Sequence, residues 1–219
     1  MKDIRAVRGK GFLARAIAEG EHERQDFKYA ISDARKIART LSAFANRSGG
    51  RLLVGVRDNG SIAGGRSEED VYVIEQAAQM YCVPEQTVTI DALKAEGGAV
   101  VIRAEILPSE VRPVSVREAD GRLRAYIRVA DENIAAHPLM VRAWRHESDP
   151  ERAASLMGDN ETLLLAALRD AGGAMPADTL LTTLPMARAT AERTVVSLAS
   201  AGIIGFRHTP AGFHIIISE

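Results

Sequence analysis

The chain has 219 residues, 46% of them hydrophobic, enough for one large or two small domains with an ordinary globular core. Its formal net charge of −1 gives no global pull toward polyanions, and a single cysteine, Cys82, excludes an internal disulfide framework or a structural zinc site built on paired cysteines. It contains no apolar run of about 18 residues and begins with interrupted, charged sequence, so a cytoplasmic protein with no membrane partner is expected.

Residues 1–18 carry Lys2, Arg5, Arg8, Lys10 and Arg15 against Asp3 alone and read as a basic N-terminal arm. Ser32 to Arg47 spaces Ala34, Ile37, Ala38, Leu41, Phe44 and Ala45 as one apolar helix face, with N-cap chemistry in Ser32 and Asp33 and a stop in Ser48-Gly49-Gly50. RLLVGV (Arg51 to Val56) reads as a strand, and Asn59-Gly60 as a tight reversal. Ser67 to Tyr81 opens on a capping box, SEED, and reads as a second helix that Pro84 closes.

Beyond Pro84 the period changes from helical to alternating. Two hairpins follow, Thr87 to Leu93 with Ala99 to Leu107, and Val114 to Arg117 with Leu123 to Val129. A short helix, Pro138 to His146, would end a domain spanning 19–147. The order predicts an α+β fold with helices packed on a mixed or antiparallel sheet. Residues 148–160 are polar, contain Pro and Gly, and read as a linker. The remainder, 161–219, gives three helices (Glu161 to Ala171, Pro176 to Leu184, Ala187 to Ala201) and two strands around Thr209 to Gly212. That sequence of elements resembles a winged helix-turn-helix, whose third helix would present Arg188, Thr190 and Arg193, with His208 at the wing. From Glu151 onward acids outnumber arginines, which suits a protein-contact or dimerisation module as well as a DNA reader.

EHERQDFKYA (Glu21 to Ala30), LSAFANRSGGRLLVGVRDNGSIAG (Leu41 to Gly64) and AYIRVADENIAA (Ala125 to Ala136) together resemble the Schlafen-type AlbA-like domain, over about the first two-thirds of the chain. The chain departs from that pattern at Asp26, where the family has Glu, and at Ala130, where it tends to have Gly. The resemblance implies that Gly49 and Gly50 turn the chain from helix into a central strand, and that Glu21, Asp26 and Asp58 are the catalytic acids of a ribonuclease branch. Those acids would hold Mg²⁺ or Mn²⁺ in a nuclease; otherwise no cofactor is expected. A strand at Glu23 to Lys28 would put Asp26 and Lys28 on one face, where Lys28 can neutralise a phosphate. Asn46 and Asn133 are further candidates for substrate contact or for caps.

The leading expectation is a nucleic-acid-binding protein acting as a DNA-binding transcriptional regulator and homodimer, with DNA preferred to RNA as partner. A divalent-metal-dependent ribonuclease and a protein-interaction module are the alternatives. Backbone contacts would come from Arg5, Arg8 and Lys10 in the arm, from Lys28, from Arg35, Lys36 and Arg39 on the first helix, and from Arg122, Arg124 and Arg128 on the hairpin.

Overall fold

The computed structural model describes residues 7–8, 10–146 and 158–218. The chain divides into two compact units, Met1–Ala135 and Ala136–Glu219. Arg5 and most of the expected linker lie outside the described residues.

The first unit runs β1 (Val7–Arg8), α1 (Lys10–Glu19), β2 (Gln25–Lys28), α2 (Ala34–Ala45), β3 (Gly50–Val54) and α3 (Ser67–Gln76), the last continuing over Ala77–Tyr81 as a π-type turn. It goes on through β4 (Cys82–Val83), β5 (Thr89–Lys94), β6 (Val100–Ile106), β7 (Ser115–Arg117), β8 (Leu123–Val129) and β9 (Glu132–Ala135). Five strands form a mixed sheet in the order β1-β5-β6-β3-β2, and four form an antiparallel sheet, β4-β7-β8-β9.

The central strand explains why RLLVGV does not alternate. Leu53 joins Leu13 and Ala16 of α1, Phe27, Leu93 and Val101 in a core on one face of the mixed sheet. Leu52 and Val54 face the other way, into a core with Ile37, Leu41 and Phe44 of α2, Ile74 of α3, and Val114, Val116 and Tyr126 of the second sheet. A strand covered on both faces needs apolar residues at consecutive positions. Residues 10–19, expected in a basic arm, are instead a helix that supplies half of that cover; its polar flank hid the buried Leu13 and Ala16.

Helix α2 begins where Asp33 accepts hydrogen bonds from the Arg35 and Lys36 amides, as the sequence predicts. It ends at Asn46, which is fully buried. The Asn46 amide nitrogen donates to the carbonyls of Val114 and Tyr126, and its oxygen accepts from the Val114 amide. With Ser42, which donates to the Val114 carbonyl and accepts from the Tyr126 amide, it fastens the second sheet to the helix. Of the two roles expected for Asn46, substrate contact or cap, the structure shows the cap: it closes α2 and its side chain is spent on the second sheet. The cap of α3 also shifts by one residue: Asp70 reaches back to the Arg66 amide, so Ser67 lies inside the helix.

The second unit contains α4 (Pro138–His146), α5 (Asp159–Asp170), β10 (Ala174–Pro176), α6 (Ala177–Thr183), α7 (Arg188–Ser200), β11 (Ile204–Thr209) and β12 (Gly212–Ile217). Its sheet has the order β10-β12-β11, antiparallel throughout. Helix α4 was expected to close the first domain. It belongs here instead, with Leu139 in one core with Leu164, Leu180, Val195 and Ile215, and with Arg142 2.9 Å from Glu192 on α7. No helix among the described residues is long and apolar enough to cross a membrane.

Candidate nucleic-acid interface and the acid cluster

Strand β2 is shorter than the expected Glu23 to Lys28, and Gln25, Asp26 and Phe27 are buried in succession, but Asp26 and Lys28 do share a face: Lys28 Nζ lies 2.8 Å from Asp26 Oδ1. Asp26 has a second cationic partner on the same oxygen. Arg128, which was expected to reach phosphate from the hairpin surface, is 2% exposed and lies inside the first unit, against an Asp26 that is 1% exposed. Its Nη2 donates to Asp26 Oδ1 at 2.9 Å, its Nε to the His22 carbonyl at 3.0 Å, and its Nη1 to Asn133 Oδ1 at 3.1 Å, while the guanidinium lies over the Phe44 ring. Asn133 in turn donates to Thr40 Oγ1, which donates weakly to Asp26 Oδ2. The alternation of LRAYIRV fails because Ala125, Tyr126, Ile127 and Arg128 are buried in succession. Arg128 is thus the polar staple between the two sheets.

Glu21 joins this cluster. Its Oε1 accepts from the Phe27 amide and lies 3.8 Å from Arg128 Nη2. Burial, and then the hydrogen bond it shares with Asp26, hold its carboxyl above the ordinary value, against the pull of the Phe27 amide. Asp58 occupies an exposed turn beyond the C-terminal end of β3, where the Gly60 amide donates to the Arg57 carbonyl. Among the described residues no three acid, histidine or cysteine side chains are placed to hold a metal ion. Asp26 Oδ1 is already shared by two cations, so the donor set does not fit Mg²⁺ or Mn²⁺: Arg128 and Lys28 occupy the positions a divalent ion would take.

One of the expected cations on α2 is tied to the hairpin through an acid. Arg39 makes a two-pronged hydrogen bond to Glu118, Nε to Oε1 at 2.9 Å and Nη2 to Oε2 at 2.6 Å, and the Tyr126 hydroxyl donates to the same Oε1. The Arg39 hydrogen bond holds the Glu118 carboxyl below its ordinary value despite burial, and burial followed by the Glu118 bond pushes the Tyr126 phenol up to about 12. This tie fixes the β7–β8 turn against α2. Arg122 in that turn and Arg124 at the start of β8 are both exposed and lie 3.8 and 3.9 Å from Asp120. Lys36 is exposed on α2, one turn before Arg39. Arg35 is half-buried, with its guanidinium 4.9 Å over the Tyr81 ring. Arg8 lies in β1 and Lys10 opens α1.

In the second unit the cations of α7 are engaged. Arg188 pairs with Asp178 at 3.1 Å and with Glu192 at 3.3 Å, Glu192 also holds Arg142, and Arg193 donates to Thr190 Oγ1. His208 packs edge-on against Phe213. Sequence reasoning missed a cleft of about 440 Å³ at the opposite end of the mixed sheet, bounded by Arg24, Ser48, Arg51, Leu107 and Pro108. Its walls come from three separate strand ends, which no local pattern links.

The family model for Schlafen, AlbA_2 matches residues 21–137. The chain belongs to this family. The AlbA_2 match ends two residues into the second unit and takes in the second sheet, all of the mixed sheet but β1, and the Arg128 cluster. Similar solved structures include the DIP2311 protein from Corynebacterium diphtheriae (16% identity, TM-score 0.42) and the N-terminal domain of a putative ATP-dependent DNA helicase RecG-related protein from Nitrosomonas europaea (18% identity, TM-score 0.42). The first alignment covers 78% of this chain and 41% of the other; the second covers 60% and 93%. Among curated proteins no match is found.

Proposed function

We propose that this AlbA_2 protein binds nucleic acid through the cationic face of its first unit and acts as a DNA-binding transcriptional regulator. The observation that carries the reading is the Arg39–Glu118–Tyr126 tie, which fixes α2, where Lys36 is exposed, to the hairpin that carries the exposed Arg122 and Arg124. Glu118 is neutralised by Arg39, so the cations beyond it act on phosphate without an opposing buried charge. Contacts of this kind position a backbone and do not read sequence.

We propose further that the second unit is a winged helix, on its order of helix, strand, two helices and hairpin. In a regulator it would supply target choice and pair two copies of the chain. The chain of ion pairs Arg142–Glu192–Arg188–Asp178 favours protein contact or dimerisation as the use of α7, because its leading arginine already has two acid partners. The ribonuclease reading loses ground for the same type of reason, with Asp26 committed to Arg128.

The test is a mobility shift with duplex DNA across a salt series. The wild-type shift is expected to weaken steeply with salt, and Arg122→Ala with Arg124→Ala to reduce the slope of log K against log salt by about two. An unchanged slope would remove the hairpin from the interface. Metal-dependent cleavage of tRNA, lost in Glu21→Ala with Asp26→Asn, would replace the binding reading by the nuclease.

A further inference from the structure

At the C-terminal end of β2 the structure presents a large aromatic side chain to solvent. Tyr29 is 55% exposed, although it directly follows the fully packed Phe27 and the ion-paired Lys28. The guanidinium of Arg57 lies over its ring, 4.7 Å from the centroid. That contact is all that is seen of the Arg57 side chain among the described residues: it has no acid partner, in contrast to Arg39, Arg51, Arg103 and Arg128.

Both sides of the pair are held. The Gly55 amide donates to the Lys28 carbonyl, which registers the end of β2 against the end of β3. The Arg57 amide donates to the Ser61 carbonyl, the Arg57 carbonyl accepts from the Gly60 amide, and Asn59 Oδ1 accepts from the Ser61 amide. A ring and a guanidinium plane are therefore preset in a stack, at little further cost in order. Lys28, the residue before Tyr29, is half-exposed with its ammonium on Asp26, and Asp58 is the one acid of the turn.

We infer that Tyr29 and Arg57 form a stacking platform for an unpaired nucleobase, so that the first unit takes a single strand in preference to a duplex. This rests on the nucleic-acid reading above and narrows it to a substrate class. Aromatic rings and arginine planes are the surfaces on which splayed bases stack, whereas a base inside a duplex has both faces covered by its neighbours. A second protein partner would be expected to show apolar companions around the ring. Here the side chain that meets the ring is the Arg57 guanidinium, whose charge suits the phosphates flanking a base.

The experiment is fluorescence anisotropy with the full chain at one low salt concentration and three labelled probes: a short oligodeoxyadenylate, an abasic oligomer of equal length and charge, and a duplex. The oligodeoxyadenylate is expected to bind most tightly. Tyr29→Ala should weaken it by about five- to a hundredfold, the range for one stacked base, and leave the other two probes unchanged, while Tyr29→Phe should bind as the wild type does. Arg122→Ala with Arg124→Ala should weaken all three. Equal binding of the oligodeoxyadenylate and the abasic oligomer, indifferent to Tyr29→Ala, would overturn the platform and leave the cationic face standing. Loss of binding in Tyr29→Phe would also overturn it, since the ring would remain. No binding of any probe would overturn the reading on which the platform rests.

Discussion

Arg128 and Asp26 are both almost wholly removed from water and are paired at 2.9 Å, with Lys28 also on Asp26 and Glu21 3.8 Å from Arg128. Arg128→Ala takes the buried cation from the Asp26 carboxylate and leaves it the half-exposed Lys28, and a loss of about 3–5 kcal/mol in chemical denaturation is expected. Asp26→Asn with Arg128→Met removes both charges and should recover much of that loss, as buried pairs replaced by apolar groups commonly do. Glu21 and Glu118 shift in opposite directions and so act on opposite flanks of a stability profile. Glu21 is raised: its contribution is present below the ordinary glutamate value and is lost as pH rises through the raised one. Glu118 is lowered: its contribution is present above the ordinary value and is lost as pH falls through the depressed one. Melting temperature followed against pH should therefore lose its decline on the upper side in Glu21→Gln and its decline on the acid side in Glu118→Gln. Ala130, at the turn between β8 and β9, has φ +52°, a conformation that costs a non-glycine residue about 1–2 kcal/mol. Ala130→Gly should stabilise the unit by a comparable amount, measured in the same denaturation. The departure from the family's glycine was visible in the sequence; the strain that accompanies it was not.

At the scale of elements, the turn from α2 into β3 was legible because glycine has a limited set of uses. Gly49 has φ +70°, and a Cβ there would meet the Ile106 carbonyl oxygen at 2.7 Å; at Gly50 it would meet the Phe44 ring at 2.5 Å. Gly49→Ala is expected to cost more than about 1 kcal/mol, and a thermal melt would show it. Helix α2, β3 and both predicted hairpins were legible for the same reason: period and turn residues are local. The missed elements depend on partners distant in sequence. Strands β1, β4 and β10 are only two or three residues long and gain their definition from β5, β7 and β12. The role of Arg128 was hidden likewise, since its charge suggests a surface until the strand opposite is known. Asn59-Gly60 did give its reversal, but the returning limb forms the isolated bridge Ile62 to Val56 and puts the Ala63 and Gly64 amides on the Gly55 carbonyl, without a strand of its own before α3.

At the scale of the whole molecule, the described cores fall wholly on one side or the other of the division at Ala135. A fragment ending at Ala135 should therefore unfold in one cooperative transition and keep salt-dependent nucleic-acid binding, with calorimetry and the mobility shift as the two readouts. A fragment that failed to fold would place part of the first core beyond that residue. The sequence led to a later boundary because Pro138 to His146 is a good amphipathic helix on its own terms, and nothing local says which unit its buried face will join. The acids and cations were legible as a set, but their division into a buried staple and a surface face was not, because composition alone does not encode burial.

The Arg128 staple also bears on inheritance. One side chain joins β8 to the His22 and Gln25 carbonyls and to the Asp26 carboxylate. Neither charge can be lost first without a large penalty, so the two positions form a single heritable unit, expected to persist together through divergence or to be replaced together by an uncharged pair, even where the exposed cations around them have drifted.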